Sequence, residues 1–237
     1  QPGIYLHSPV SVLDYSSLYP SSMISENLSH DSFIQDPALL GTEGARRLKK
    51  LGIPFKDIEY DNYMYVKKGK SYEKRINPKK PTIICRFVQP DRDENGDIPV
   101  ENRAVVPRIL MKVLKARKDT RKKIPGEKDP FKQSVLEGLQ LAYKVTANSL
   151  YGSLGAETSP VYFKDIAAAT TATGRKLLYL AKDFVTKNFP GSEAVYGDTD
   201  SVFINYHPKG TDGVELEGRE ALVESIRLGI ESEKGIQ

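Results

Sequence analysis

Two aspartates one residue apart, Asp198 and Asp200, lie in the run Tyr196-Gly197-Asp198-Thr199-Asp200-Ser201. Its flanks, Glu193-Ala194-Val195 and Val202-Phe203-Ile204, are short and β-prone, so the run reads as a hairpin with both acids at its tip. Carboxylates at i and i+2 of an extended backbone project to the same side and can face one cation. Taken alone, such a corner is more often an Asx-type turn than a metal site. An EF-hand fits poorly, because a loop starting at Asp198 has no glycine at its sixth position. A third carboxylate, Asp14, ends the β-prone run Val10-Ser11-Val12-Leu13 and leads into Tyr15-Ser16-Ser17-Leu18-Tyr19-Pro20-Ser21-Ser22. A lone Asp at a strand end can be no more than a cap or turn residue.

Cations supply the other half of the chemistry. Segment 104–123 carries Arg108, Lys112, Lys115, Arg117, Lys118, Arg121, Lys122 and Lys123 against Asp119 alone. Segment 67–80 carries Lys67, Lys68, Lys70, Lys74, Arg75, Lys79 and Lys80 against Glu73. Such clusters suit a polyanion, although many Lys-rich stretches are only solvated faces. Carboxylates favour Mg²⁺, which keeps a few protein ligands and takes the rest from phosphates and water. Paired ions can clamp the attacking and leaving oxygens of a phosphoryl displacement while Arg and Lys neutralise the other phosphates. Composition and spacing reach metal-dependent chemistry on a nucleoside triphosphate and go no further.

The elements that must position these groups follow from periodicity. The 237 residues, 39% hydrophobic and 28% charged, have the composition of a soluble protein with a real core, in one large or two small domains. No apolar run approaches membrane-spanning length and no signal-peptide pattern opens the chain. The single cysteine, Cys85, excludes an internal disulfide and fits a reducing compartment. The chain starts at Gln1 without Met and stops at Gln237, and it reads as a piece of something longer.

In order, a β-prone stretch over 4–14 begins with Ile4-Tyr5-Leu6 and delivers Asp14. Pro20 pushes Tyr19 out of the α-region, which predicts a sharp bend, free backbone N–H groups suited to phosphate oxygens, and a helix starting near Met23-Ile24. Asn27–Asp31 reads as connection and His30 as a structural residue, with no second histidine at ligand spacing. A short basic helix over 43–51, strands over 58–66 and 82–89, and a turn at Asp93–Asp97 follow. Val106, Ile109, Leu110, Val113 and Leu114 form a helical stripe that runs on into Arg117 and Arg121. A second helix over 129–154 places Phe131, Val135, Leu139 and Ala142 on one face and Lys144, Asn148 and Tyr151 in a row on the other. The two helices should form a hairpin offering Arg117, Arg121 and Lys144 to one anion. A core helix over 163–189, with Ile166, Thr170, Thr173, Leu177, Leu180 and Phe184 on one face, precedes the carboxylate hairpin. A turn and a helix close the chain over 213–237.

Three stretches resemble motifs of the family B (α-like) DNA polymerases. Asp14-x-x-Ser17-Leu18-Tyr19-Pro20-Ser21 is similar to motif A, Lys144-x-x-x-Asn148-Ser149-x-Tyr151-Gly152 to motif B, and Tyr196-Gly197-Asp198-Thr199-Asp200-Ser201 to motif C. Arg117-Lys118 followed by Arg121 resembles the basic element of the first fingers helix. All of them in this order make chance agreement very small. Ser21–Asp31 resembles the versions found in large DNA viruses of algae and protists.

The resemblance implies an α+β fold, a polymerase palm whose antiparallel sheet and carboxylate hairpin pack on helices, with an inserted helical-hairpin fingers subdomain. Residues 1–103 would be the first part of the palm, 104–155 the fingers, and 156–237 the second part of the palm before a thumb. It implies transfer of a nucleotide from a dNTP to a primer 3′-hydroxyl with pyrophosphate release. Asp14 and Asp200 would hold two Mg²⁺ ions, with Asp198 close by. The Ser17 and Leu18 backbone, Arg117, Arg121 and Lys144 would bind the triphosphate, Asn148 would support that site, Tyr151 would line the nascent base pair and Tyr19 would lie under the sugar. Primer-template DNA, dNTPs and a processivity factor are the implied partners, with no membrane. An intracellular site is implied, the host nucleus or a cytoplasmic viral factory for a viral enzyme. A protein-primed polymerase shares these motifs and carries an insertion between A and B, for which residues 36–80 could be mistaken. An inactive polymerase-like subunit would have lost Asp14 or Asp200, and both are present. A generic nucleic-acid-binding module accounts for the cations but not for three carboxylates.

Overall fold

The periodic segments become seven strands and six α-helices among the residues described by the computed structural model, namely 5, 8–96 and 98–236. In chain order these are β1 (Val10–Asp14), α1 (Leu18–Ser25), α2 (Gly41–Lys50), β2 (Phe55–Asp61), β3 (Tyr63–Lys68), β4 (Ser71–Ile76) and β5 (Thr82–Val88). Then come α3 (Val105–Lys123), α4 (Pro130–Gly155), α5 (Lys164–Asn188), β6 (Glu193–Asp198), β7 (Ser201–Asn205) and α6 (Gly218–Ile236). Mixed helices and antiparallel sheets make the fold α+β, as expected. Ile4 and Leu6 of the expected first strand, and Asp97 of the expected turn, lie outside the described residues. The chain divides into two units, residues 1–18 with 174–237, and residues 19–173. This division differs from a partition at 103 and 155.

The first unit is built on a three-stranded antiparallel sheet in the order β1-β7-β6. Alternation along β7 buries Val202 and Ile204 against Ala181 and Val185 of the C-terminal half of α5. Leu13 of β1 and Leu228 of α6 pack on the same cluster. Tyr206, just after β7, is buried there with its hydroxyl 2.7 Å from Ser232 Oγ of α6. A buried aromatic hydroxyl with a partner avoids the cost of an orphaned polar group.

The second unit gathers its core from α1 and the segment after it, the β2–β5 ribbon, α3, α4 and the start of α5. Met23 and Leu28, Ile58 and Tyr60, Cys85 and Phe87, Val106 and Leu110, Ala147 and Leu154, and Ile166 form one cluster. Burial pushes the Cys85 thiol up to about 12, which leaves it an inert core residue. Opposite Cys85 in the ribbon, β2 and β5 pair along their whole lengths from Phe55↔Val88 to Asp61↔Thr82. The expected strand over 58–66 is therefore broken, because Asn62 turns its backbone to Pro81 and Asn77 and separates β2 from β3.

Two helical expectations change. Helix α1 starts at Leu18, five residues before the expected start, and contains Tyr19 and Pro20. Proline at the third position removes an N–H that has no intrahelical partner anyway, so the first turn tolerates it. On α4 the apolar face of Phe131, Val135 and Leu139 is exposed, Phe131 by 77%, and the buried residues are Ala147 and Leu154 near the other end. On α5, Ile166, Thr170 and Thr173 are buried as expected, whereas Leu180 is exposed.

Candidate active site

Strand register assembles the carboxylate corner. Asp14, the last residue of β1, is paired with Ser201, the first of β7, and Asp198, the last of β6, is paired with the same Ser201. Residues 187 positions apart thereby meet, and Ser201 Oγ donates to Asp14 Oδ1 at 2.6 Å. The Tyr15 N–H donates to the Asp200 carbonyl at 2.9 Å, tying the exit of β1 to the turn itself. Tyr15 is anchored further by its hydroxyl, which donates to the Leu177 carbonyl at 3.0 Å. Burial raises the pKa of that phenol and keeps it a donor. Asp14, Asp198 and Asp200 share this end of the sheet, the first two exposed and the third half-buried.

The turn is tighter than an extended i, i+2 arrangement. The Asp200 N–H donates to the Asp198 carbonyl at 2.6 Å, closing a three-residue γ-turn around Thr199. Thr199 has a φ of 53°, a left-handed conformation that is a genuine outlier for a β-branched residue. Its hydroxyl donates to Asp198 Oδ1 at 3.0 Å. Side-chain alternation along an extended strand thus does not relate Asp198 to Asp200. Among the described residues no three His, Cys, Asp or Glu side chains are grouped closely enough to hold an ion by themselves. Carboxylate oxygens at the rigid end of a sheet are nevertheless the donor type a hard dication such as Mg²⁺ takes. In sequence Ser201 is only the last residue of the hairpin corner, with nothing to mark a partner for its hydroxyl. Only strand register, which is non-local, reveals what it touches.

The remaining residues are placed as follows. Ser17 precedes α1 with a φ of 54°, and Leu18 is buried at the helix start; both belong to the unit that holds the aspartates. In the other unit, Tyr19 stacks on Tyr151 of α4 with ring centroids 4.3 Å apart and planes 29° apart. Burial, with Tyr19 beside it, raises the Tyr151 phenol above its ordinary pKa. Helix α4 packs back along α3 after the short turn Ile124–Gly126. Half-buried Arg117 faces Gln140 across that seam, Nε to Oε1 at 3.5 Å. Arg121 lies one turn further along α3, and Lys144 one turn beyond Gln140 on α4. Because the helices run in opposite directions, Arg117 lies between the other two cations, and the three make a row rather than a point cluster. Asn148 is exposed one turn after Lys144.

Comparison with known proteins gives concordant matches. The family model for DNA polymerase family B matches residues 1–222. A DNA polymerase of Pyramimonas orientalis virus is 39% identical over 278 residues, covering 98% of this chain and 21% of the relative. A DNA polymerase of Phaeocystis pouchetii virus is 41% identical over 256 residues, covering 95% and 23%. The DNA polymerase delta catalytic subunit of Dictyostelium discoideum is 30% identical, covering 93% and 17%. Among solved structures, the family B DNA polymerase from the archaeon Pyrobaculum calidifontis has a similar fold, with a TM-score of 0.52 at 24% identity over all of this chain and 23% of that one. The chain spans about a fifth of the length of these relatives.

Proposed function

The chain belongs to the family B DNA polymerases, and from that premise we propose that it carries the nucleotidyl-transfer centre of a DNA-directed DNA polymerase. The reaction is attack of a primer 3′-hydroxyl on the α-phosphate of a dNTP, directed by a template, with release of pyrophosphate. The observation that carries this reading is the register of β1, β7 and β6, which brings Asp14 and the Asp198–Ser201 corner to one end of one sheet.

Asp14 and Asp200 hold two Mg²⁺ ions in this reading, with Asp198 adjacent. When bound, the ions supply Lewis-acid activation of the hydroxyl and neutralisation of the leaving phosphates. Ser201 fixes the rotamer of Asp14 through its hydroxyl. The peptide bonds around Asp200 are pinned from both sides, by Tyr15 and by Asp198. Arg117, Arg121 and Lys144 take the charge of the triphosphate, with the Ser17 and Leu18 backbone, and a row of cations suits an extended polyphosphate better than a single anion. Asn148 supports that site, Tyr151 lines the nascent base pair and Tyr19 packs beneath the deoxyribose. Sequence is read by the template, so the basic clusters grip nucleic-acid backbone without sequence preference.

The test is primer extension by the longest natural chain that carries these residues. Asp14→Asn and Asp200→Asn should each lower turnover by about a thousandfold, corresponding to several kcal/mol of lost transition-state stabilisation. Thermal unfolding should be unchanged, and Asp198→Asn should do less damage. Near-normal turnover by Asp200→Asn would remove the basis for this assignment.

A further inference from the structure

The β2–β5 ribbon changes character at Asn62. Below it, Ile58, Tyr60, Cys85 and Phe87 enter the core of the second unit. Above it, β3 and β4 continue as a two-stranded hairpin, and none of their residues belongs to that core cluster. A two-stranded hairpin without a covered face has little stability of its own, so its surface residues are not there to pack.

Pairing in this hairpin runs Tyr63↔Ile76, Tyr65↔Lys74 and Lys67↔Tyr72. Directly opposed residues and residues two apart share a face, so Tyr63, Tyr65, Lys67, Tyr72, Lys74 and Ile76 all lie on one side. Every tyrosine of the hairpin is on that face. Tyr65 and Tyr72 are each 68% exposed, and Lys74 Nζ sits 4.2 Å from the centroid of the Tyr63 ring. The hairpin's single acid, Glu73, is on the opposite face, paired with Arg75 at 2.8 Å and Lys68 at 3.6 Å. Within β3 and β4 the aromatic face therefore carries cations and no carboxylate, while Asp61, just before β3, accepts from the Tyr63 hydroxyl at 3.1 Å.

We propose that this face of β3–β4 is a binding platform for single-stranded nucleic acid. The exposed rings of Tyr65 and Tyr72, diagonal neighbours about 7–8 Å apart across the two strands, offer stacking surfaces for unpaired bases. Interleaved lysines neutralise the phosphates between them. A duplex hides its base faces within the helical stack, so the tyrosines select for single strands while lysines alone would not. The platform uses none of Asp14, Asp198 and Asp200, the aspartates of the proposed nucleotidyl-transfer centre.

The experiment measures fluorescence anisotropy of labelled oligo(dT) and of a duplex of equal length, using the longest natural chain that carries the hairpin. Tyr65→Ala with Tyr72→Ala should weaken oligo(dT) binding at least about tenfold and leave duplex affinity within about twofold. Tyr65→Phe with Tyr72→Phe should bind like wild type, because the ring does the stacking. Lys67→Ala with Lys74→Ala should reduce the slope of log affinity against log salt by about 1.4 for single strands. Unchanged oligo(dT) affinity in the double alanine variant would overturn the proposal, as would equal losses for single strand and duplex. Absence of primer extension would refute the polymerase reading and leave these affinities, and their dependence on the tyrosines, as they are.

Discussion

Replacing Ser201 by Ala removes one hydrogen bond and one hydroxyl, at a position whose backbone pairing to Asp14 remains. A hydroxyl donating to a carboxylate contributes on the order of 1.5–3 kcal/mol when buried. Here Asp14 is exposed and Ser201 half-buried, and solvent competition brings that to about 1 kcal/mol. If the bond serves to hold Asp14 in its reactive rotamer, the loss appears in turnover at about 1.4 kcal/mol per tenfold. Ser201→Ala should therefore lower kcat about fivefold in single-turnover primer extension, with the KM for dNTP within about twofold of wild type. The Mg²⁺ concentration for half-maximal rate should rise, because a freely rotating carboxylate holds an ion less well. Ser201→Thr keeps the hydroxyl and should recover most of the rate. Two results would refute the reasoning. One is a Ser201→Ala enzyme with unchanged kcat and Mg²⁺ requirement; the other is a loss that tracks a lowered melting temperature, since β7 is a central strand.

In the proposed reading the Tyr19 ring excludes a 2′-hydroxyl by collision, so Tyr19→Ala should admit ribonucleotides while largely preserving dNTP incorporation, and Tyr19→Phe should keep the discrimination. The alanine also removes the stack on Tyr151, about 1 kcal/mol, so melting should fall by only a few degrees; an alanine variant that discriminates like wild type would make Tyr19 a packing residue. Lys144→Ala and Arg117→Ala should each raise the dNTP concentration needed for half-maximal rate, and their effects should not add. An unchanged dNTP requirement with weakened DNA binding would reassign both to the duplex. Asp57→Ala should cost about 3 kcal/mol in urea unfolding, because it strands the guanidinium of Arg86, whose side chain is only 4% exposed and which Asp57 holds with two bonds of 2.7 Å. Adding Arg86→Met should recover part of that loss, and a double variant less stable than Asp57→Ala would show that Arg86 acts mainly through the Leu39 and Gly41 carbonyls.

Local chemistry made much of this protein legible in one dimension. The carboxylate hairpin announces itself because two β-prone runs flank a polar corner, and β6 and β7 form there. Helices α3, α4 and α5 are readable because an apolar period of 3.6 recurs over several turns, and their ends fall within a few residues of Pro, Gly or a capping Asp such as Asp129, whose carboxylate accepts from the Phe131 N–H. The residue types of the candidate site were equally visible, since Asp, Lys, Arg and Tyr at motif spacing need no coordinates to be noticed.

What those residues touch was decided only by the tertiary structure. Periodicity marks a face on α4 but not what covers it, and Phe131 and Val135 are left in solvent. Asn27, Ser29 and Asp31 read as connection, yet their side chains accept from the N–H groups of Ala104, Val106 and Val105 and cap α3, whose own cap residue is an alanine. A helix terminus needs acceptors, and nothing local says that they come from more than seventy residues upstream. The same holds for Asp14 and Ser201. A strand's hydrogen-bonding partners lie on another strand, and register across 187 residues is set by which faces can be buried together, a property of the assembled core and not of either segment.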